Sequence, residues 1–112
     1  MNLEEKKCVP CEGGVDPFDR DKIEKYLKFL GEDNQWQVID DKKIQRDFSF
    51  KDFSAALDFI NQIGKIAESE NHHPDLNLHN YKKVTVTLST FAINGLSEND
   101  FILAAKINNL TK

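Results

Sequence analysis

Residues 68–100, from Glu68 to Asp100, read ESENHHPDLNLHNYKKVTVTLSTFAINGLSEND and contain all three histidines of the chain. Two of them, His72 and His73, stand directly before Pro74. Proline pushes the residue before it out of the helical region, so the helical pattern running up to Glu68 should stop near Asn71 and continue as extended chain. The imidazole pair then lies at a helix-to-strand corner. Imidazole titrates at about 6.5, which suits proton transfer near neutral pH. The same corner equally suits two side chains that only complement a helix end and meet solvent.

Upstream of the corner, Phe53, Ala56, Leu57, Ile60, Ile63, Gly64 and Ala67 keep helical spacing and mark a central helix. Glu68 falls in its last turn, where a carboxylate opposes the helix dipole by about 0.3–1 kcal/mol if exposed. It is either a solvated glutamate or a group that orients a neighbouring imidazole. Downstream, a short segment around Leu76 to Leu78 precedes a strand over Lys83 to Thr90, where Val84, Val86 and Leu88 alternate with Thr85 and Thr87. Ser97-Glu-Asn-Asp100 has the type and spacing of a capping box, opening a last helix with Leu103, Ala104, Ile107 and Leu110 inward. Asp100 is thus explained as a cap, which does not stop it from facing a pocket.

Toward the N-terminus, Asp19 can cap a helix built on Ile23, Tyr26, Leu27 and Leu30 and stopped by Gly31. Trp36 and Val38 alternate with polar residues, Asp40-Asp41-Lys42 is turn-like, and Ile44, Phe48 and Phe50 share one face of the next run, which predicts a hairpin. Residues 1–18 carry Pro10, Gly13, Gly14 and Pro17 and form an irregular arm ahead of a single domain over residues 19–112. The order helix, two strands, helix, two strands, helix predicts an α+β fold, a four-stranded antiparallel sheet with three helices packed on one face.

Within the arm, Cys8-x-x-Cys11 admits three readings: small thiols that fix the arm, half of a zinc site, or a redox pair. A zinc site needs about four ligands and this pair supplies two. A redox motif would follow a strand and open a helix, whereas this one precedes Gly13-Gly14.

Fifteen Lys and Arg against nineteen Asp and Glu give a formal charge of -4, with no basic cluster to draw the chain to nucleic acid or an anionic membrane. No apolar run reaches the roughly 18 residues of a membrane span, and residues 1–7 lack the apolar core of a secretory signal. The expectation is a cytoplasmic protein whose cysteines stay reduced.

Glu68, His72, His73, Pro74, Tyr81 and Asp100 together follow a spaced pattern, and in it the chain resembles the pterin-4a-carbinolamine dehydratase family. That family's signature is an acidic residue, three residues, His-His-Pro, five or six residues, an aromatic, nine residues, His or Trp, then eight or more residues and Asp. Trp36, the run Phe48 to Phe53, Leu88-Ser-Thr90, Gly95 to Asp100 and Cys8 to Gly14 extend the likeness over nearly the whole chain. The resemblance implies dehydration of a 4a-hydroxytetrahydropterin to the quinonoid dihydropterin, in recycling of the tetrahydropterin used by aromatic amino acid hydroxylases, with no metal and no cofactor. It implies His72 as general acid/base, His73 as a contact to the pterin, Glu68 and Asp100 as their catalytic partners, and Pro74 as the shape of the turn. Tyr81 and the segment Thr90, Phe91, Ala92 and Ile93 complete the implied substrate site. A homodimer or homotetramer is implied as well.

Phe91 departs from the signature, standing where the family places a third histidine or a tryptophan. It cannot transfer a proton, though it can stack on a flat ring. One acid/base group contributes about 10²- to 10⁴-fold, so slower turnover is expected unless His79 or water substitutes. The alternative is a catalytically weakened dehydratase-like protein acting as an interaction or regulatory module.

Overall fold

A computed structural model describes residues 2–9, 15–31 and 34–111. Its elements are α1 (Arg20–Phe29), β1 (Gln37–Ile39), β2 (Lys43–Ser49), α2 (Phe53–Glu70), β3 (Asp75–His79), β4 (Lys83–Leu88) and α3 (Glu98–Asn109), with short 3₁₀ turns at Leu3–Glu5 and Phe91–Ile93. The strands form one antiparallel sheet in the order β1-β2-β4-β3. The α+β architecture expected from the sequence is the one observed.

Local chemistry sets the boundaries. Asp19 accepts a hydrogen bond from the Lys22 amide and starts α1, and Gly31 follows the helix at φ +108°, a conformation that favours glycine. Asp52 caps α2 in the same way through the Ala55 amide. In the β1–β2 turn Asp40 and Asp41 both have positive φ, and Lys42 donates back to the Ile39 carbonyl, a turn whose twist matches the strands it joins. Asn80 and Tyr81 carry the matching pair of positive φ values between β3 and β4.

The inward sheet face carries Ile44, Phe48, Val84, Val86 and Leu88, all buried against Ala56, Phe59, Ile63 and the helix α3. Each such aliphatic side chain contributes about 1.5–3 kcal/mol by leaving water. The outward face is polar, with Gln45 donating to Thr87 and Thr85 donating to Asp47. Helix α3 is buried nearly all round, through Phe101, Ile102, Leu103, Ala104 and Ile107, because α1, α2 and the turn at Leu3 all pack on it.

Two expectations change, and Arg46 adds an inward-facing group that the hydrophobic pattern did not mark. The apolar set of α2 splits: Phe59 is buried, whereas Phe53 and Leu57 are 48% and 38% exposed, so periodicity marked two stripes as one. The last strand ends at Leu88, because Thr90 and Gly95 pair across a tight loop that turns the chain into α3. Arg46 shares the inward face with Ile44 and Phe48; it stacks on Phe48 and donates to the Asn108 side chain, and burial pushes its guanidinium below its usual pKa.

Candidate functional site

The site begins where α2 stops. Asn71 adopts the left-handed conformation, and both its amide and that of His72 donate to the Ala67 carbonyl. This closure, with Pro74 behind it, throws His72 and His73 off the helix in different directions. The β3–β4 hairpin then returns the chain so that Leu88, Ser89 and Thr90 arrive beside the corner, since Asp75 pairs with Thr87. The loop closed by Thr90 and Gly95 delivers Ser97 and the first turn of α3 to the same place.

Two imidazole–carboxylate pairs result. His72 Nε2 lies 2.7 Å from Asp100 Oδ1, with side-chain exposures of 12% and 0%. His73 Nε2 lies 2.7 Å from Glu68 Oε2, and there both side chains are largely exposed. The two contacts have equal length and unequal strength. Water screens the outer pair, whereas the inner one operates where the local dielectric is low.

The proton between His72 and Asp100 is placed on the imidazole, because an ionised carboxylate can only accept. His72 therefore donates from Nε2, and its Nδ1 has no protein partner among the described residues. Asp100 Oδ2 accepts from the Thr90 hydroxyl at 2.8 Å and from the Ser97 amide at 3.0 Å. The capping role read from the sequence is met through that amide, while the other oxygen faces His72.

The first turn of α3 is held from its far side by residues 2–9. The Asn99 side chain makes two hydrogen bonds to the backbone of Val9, at 2.6 and 3.0 Å. Glu98 accepts from Lys6 and from the Tyr26 hydroxyl; burial opposes its charge, yet these donors hold its carboxyl below the usual range. Cys8 donates its thiol to the Asn99 carbonyl, and burial beside Glu70 pushes that thiol up to about 12. Cys8 thus fixes this segment, whereas Cys11 lies outside the described residues.

The remaining candidates divide. Phe91 is 97% exposed and Ala92 is exposed beside it, and neither backbone amide has a partner among the described residues. Ile93 is half-buried, with its amide on the Thr90 carbonyl. Tyr81 is not brought to the corner. It sits in the turn at the opposite end of β3, roughly 17 Å along the strand. His79 is at that same far end, bonded to Thr85 on the outer face, so it cannot substitute for a third imidazole within this protomer. Sequence reasoning placed Thr90 in the implied substrate segment and Ser97 in a helix cap, and missed that their hydroxyls join and reach Asp100, since no spacing rule connects Thr90 to Asp100.

The profile of the family described as Pterin 4 alpha carbinolamine dehydratase matches residues 16–110. The chain belongs to the pterin-4a-carbinolamine dehydratase family. A relative from Alkaliphilus metalliredigens bearing the pterin-4-alpha-carbinolamine dehydratase name is 49% identical over 107 residues, covering 96% of this chain and 94% of the relative. Another from Rickettsia canadensis is 50% identical over 105 residues, covering 94% of each. Among solved structures, a transcriptional coactivator/pterin dehydratase from Brucella melitensis superposes with a TM-score of 0.77 at 35% identity, over 87% of this chain and all of that one. A pterin dehydratase-like RuBisCO assembly factor of the alpha-carboxysome shares the fold at 19% identity and a TM-score of 0.58. The family's His-His-Pro corner is thus, in this chain, the meeting point of α2, β3, β4 and α3.

Proposed function

We propose that this chain dehydrates a 4a-hydroxytetrahydropterin, and that the open Nδ1 of His72, backed by buried Asp100, carries the chemistry. In the reaction the C4a–O bond breaks and the oxygen leaves as water. The adjacent ring nitrogen gives up its proton, and its electron pair forms the new C=N bond. As imidazolium, His72 donates its Nδ1 proton to the departing oxygen; as neutral imidazole it offers a lone pair there. Asp100 holds the ring in place and stabilises the charged form.

His73, exposed and paired with Glu68, contacts the pterin and takes the second proton. The free amides of Phe91 and Ala92 suit the polar edge of the pterin, and the Phe91 ring is available to stack on its face. Such a stack places no proton where the family's third imidazole would, so reduced turnover is part of the reading. Exposure of that ring also favours the second reading, a docking surface for another protein.

The chain acts as a homo-oligomer in the cytoplasm; the expected boundary at residue 19 is moved, because Leu3 is buried in the core and the turn at Leu3–Glu5 packs on α3, which makes residues 2–9 part of the domain. Support for self-association comes from exposed Phe53 and Leu57 on one stripe of α2, in line with Gly64, beside which a second backbone can approach.

The test is a stopped assay with chemically generated 4a-carbinolamine. His72→Ala should lose most activity while still folding, with a lowered melting temperature because buried Asp100 loses its partner. Wild-type turnover in a folded His72→Ala protein would overturn the assignment. A wild type that neither turns over nor binds pterin would favour the docking reading.

A further inference from the structure

Among the described residues, three polar ones are buried as whole residues: Thr90, Asn99 and Asp100, at 2%, 4% and 0% exposure. Asn99 is accounted for by its two bonds to Val9. Asp100 caps α3 through the Ser97 amide and meets His72. Thr90 has no such explanation in the fold. A valine would fill the same β-branched volume without the cost of burying a hydroxyl.

Every polar atom of Thr90 is already engaged. Its amide donates to the Gly95 carbonyl at 2.7 Å, and its carbonyl accepts from Ile93 and Gly95. Its hydroxyl has one proton, given to Asp100 Oδ2 at 2.8 Å, so the contact with Ser97 at 2.7 Å must be the Ser97 hydroxyl donating to Thr90. Its only side-chain proton is spent, and at 2% exposure it presents almost no surface to a ligand. Instead the bonds run in one direction, from Ser97 to Thr90 to Asp100, and meet His72 from the other side.

We propose that Thr90, backed by Ser97, is a positioning residue that fixes the Asp100 carboxylate and through it the Nε2–H tautomer of His72. The terminal torsion of an aspartate is soft, and the Ser97 amide alone leaves the carboxylate free to turn about that bond. The Thr90 hydroxyl is a second donor on the same oxygen, so the opposite oxygen stays aimed at His72. Aspartate so aimed keeps the ring proton on Nε2 and leaves Nδ1 facing outward, where the proposed chemistry needs it. The catalytic consequence rests on the dehydratase reading; the tautomer does not.

Two measurements on the full chain test this. Long-range proton–nitrogen NMR of the imidazoles reports which ring nitrogen of His72 is protonated, and steady-state kinetics with generated 4a-carbinolamine separates kcat from KM. In wild type His72 should show one tautomer, protonated at Nε2. Thr90→Val should give a tautomer mixture and about a tenfold lower kcat with KM within twofold, and Thr90→Ser should restore both. If Thr90→Val does not fold, Ser97→Ala carries the test, with a kcat loss of about threefold and a detectable second tautomer. Thr90→Val or Ser97→Ala that keeps a single Nε2–H tautomer overturns the proposal, even where stability falls. Absence of dehydratase activity in wild type would remove the function proposed above and leave the NMR result to decide this one.

Discussion

Replacing Asp100 by asparagine changes few atoms and reverses the direction of one hydrogen bond. Two donors, the Thr90 hydroxyl and the Ser97 amide, converge on Oδ2, so the side-chain oxygen of the introduced asparagine would take that position. Its NH₂ group would then point at His72 Nε2 across the 2.7 Å contact and can only donate there. His72 would answer by moving its proton to Nδ1, which deprives the neutral ring of the lone pair at the substrate face. Losing a correctly protonated acid/base group costs about 10²- to 10⁴-fold in kcat, or about 2.7–5.4 kcal/mol of transition-state stabilisation. The structural cost is smaller. Exchange of a charge-assisted bond for a neutral one is worth about 1 kcal/mol, a melting shift of about 4–8 °C for a domain near this size. The assay is turnover of generated 4a-carbinolamine by wild type and Asp100→Asn, with thermal unfolding of both. Turnover within threefold of wild type in a folded Asp100→Asn protein would refute the tautomer reasoning.

Phe91→His should raise kcat by about tenfold, equivalent to about 1.4 kcal/mol, because position 91 is 97% exposed and a histidine there is unobstructed; an unchanged kcat would mean that two imidazoles suffice. In a Cys11→Ser background, Cys8 should resist thiol reagents at pH 8 until the protein unfolds, since burial and Glu70 raise its pKa to about 12. Tyr26, by burial and its bond to Glu98, also rises to about 12 from its usual 10.0, and Cys8 starts from 9.0. Both acids are neutral when protonated, so their contribution to stability is whole below about pH 9 and is lost as pH rises toward 12, an alkaline decline that denaturant titrations should show flattened in Tyr26→Phe. Leu57→Glu should shift the sedimenting species toward monomer if α2 carries the self-association; an unchanged species would place the interface elsewhere.

Much of the fold was written locally. Helix α2 ends at Glu70 on left-handed Asn71, just short of the extended step that Pro74 imposes on His73, α1 begins on Asp19, and β4 alternates Val84, Val86 and Leu88 against threonines, each through a steric or hydrogen-bonding rule that acts within a few residues. The spaced pattern from Glu68 to Asp100 carried the family as well. Tertiary structure decided the rest. Which stripe of α2 faces the core depends on where α3 and the sheet lie, so Leu57, expected inward, is 38% exposed and Phe59, outside the expected set, is buried. Tyr81 matched a motif position and still lies a strand's length from the corner, because β3 runs between them and Tyr81 sits in the turn at its far end. The bonds from Ser97 through Thr90 and Asp100 to His72 cross 28 residues of chain and three elements. Hydrogen bonds act through space over about 3 Å, and only the folded chain sets that distance.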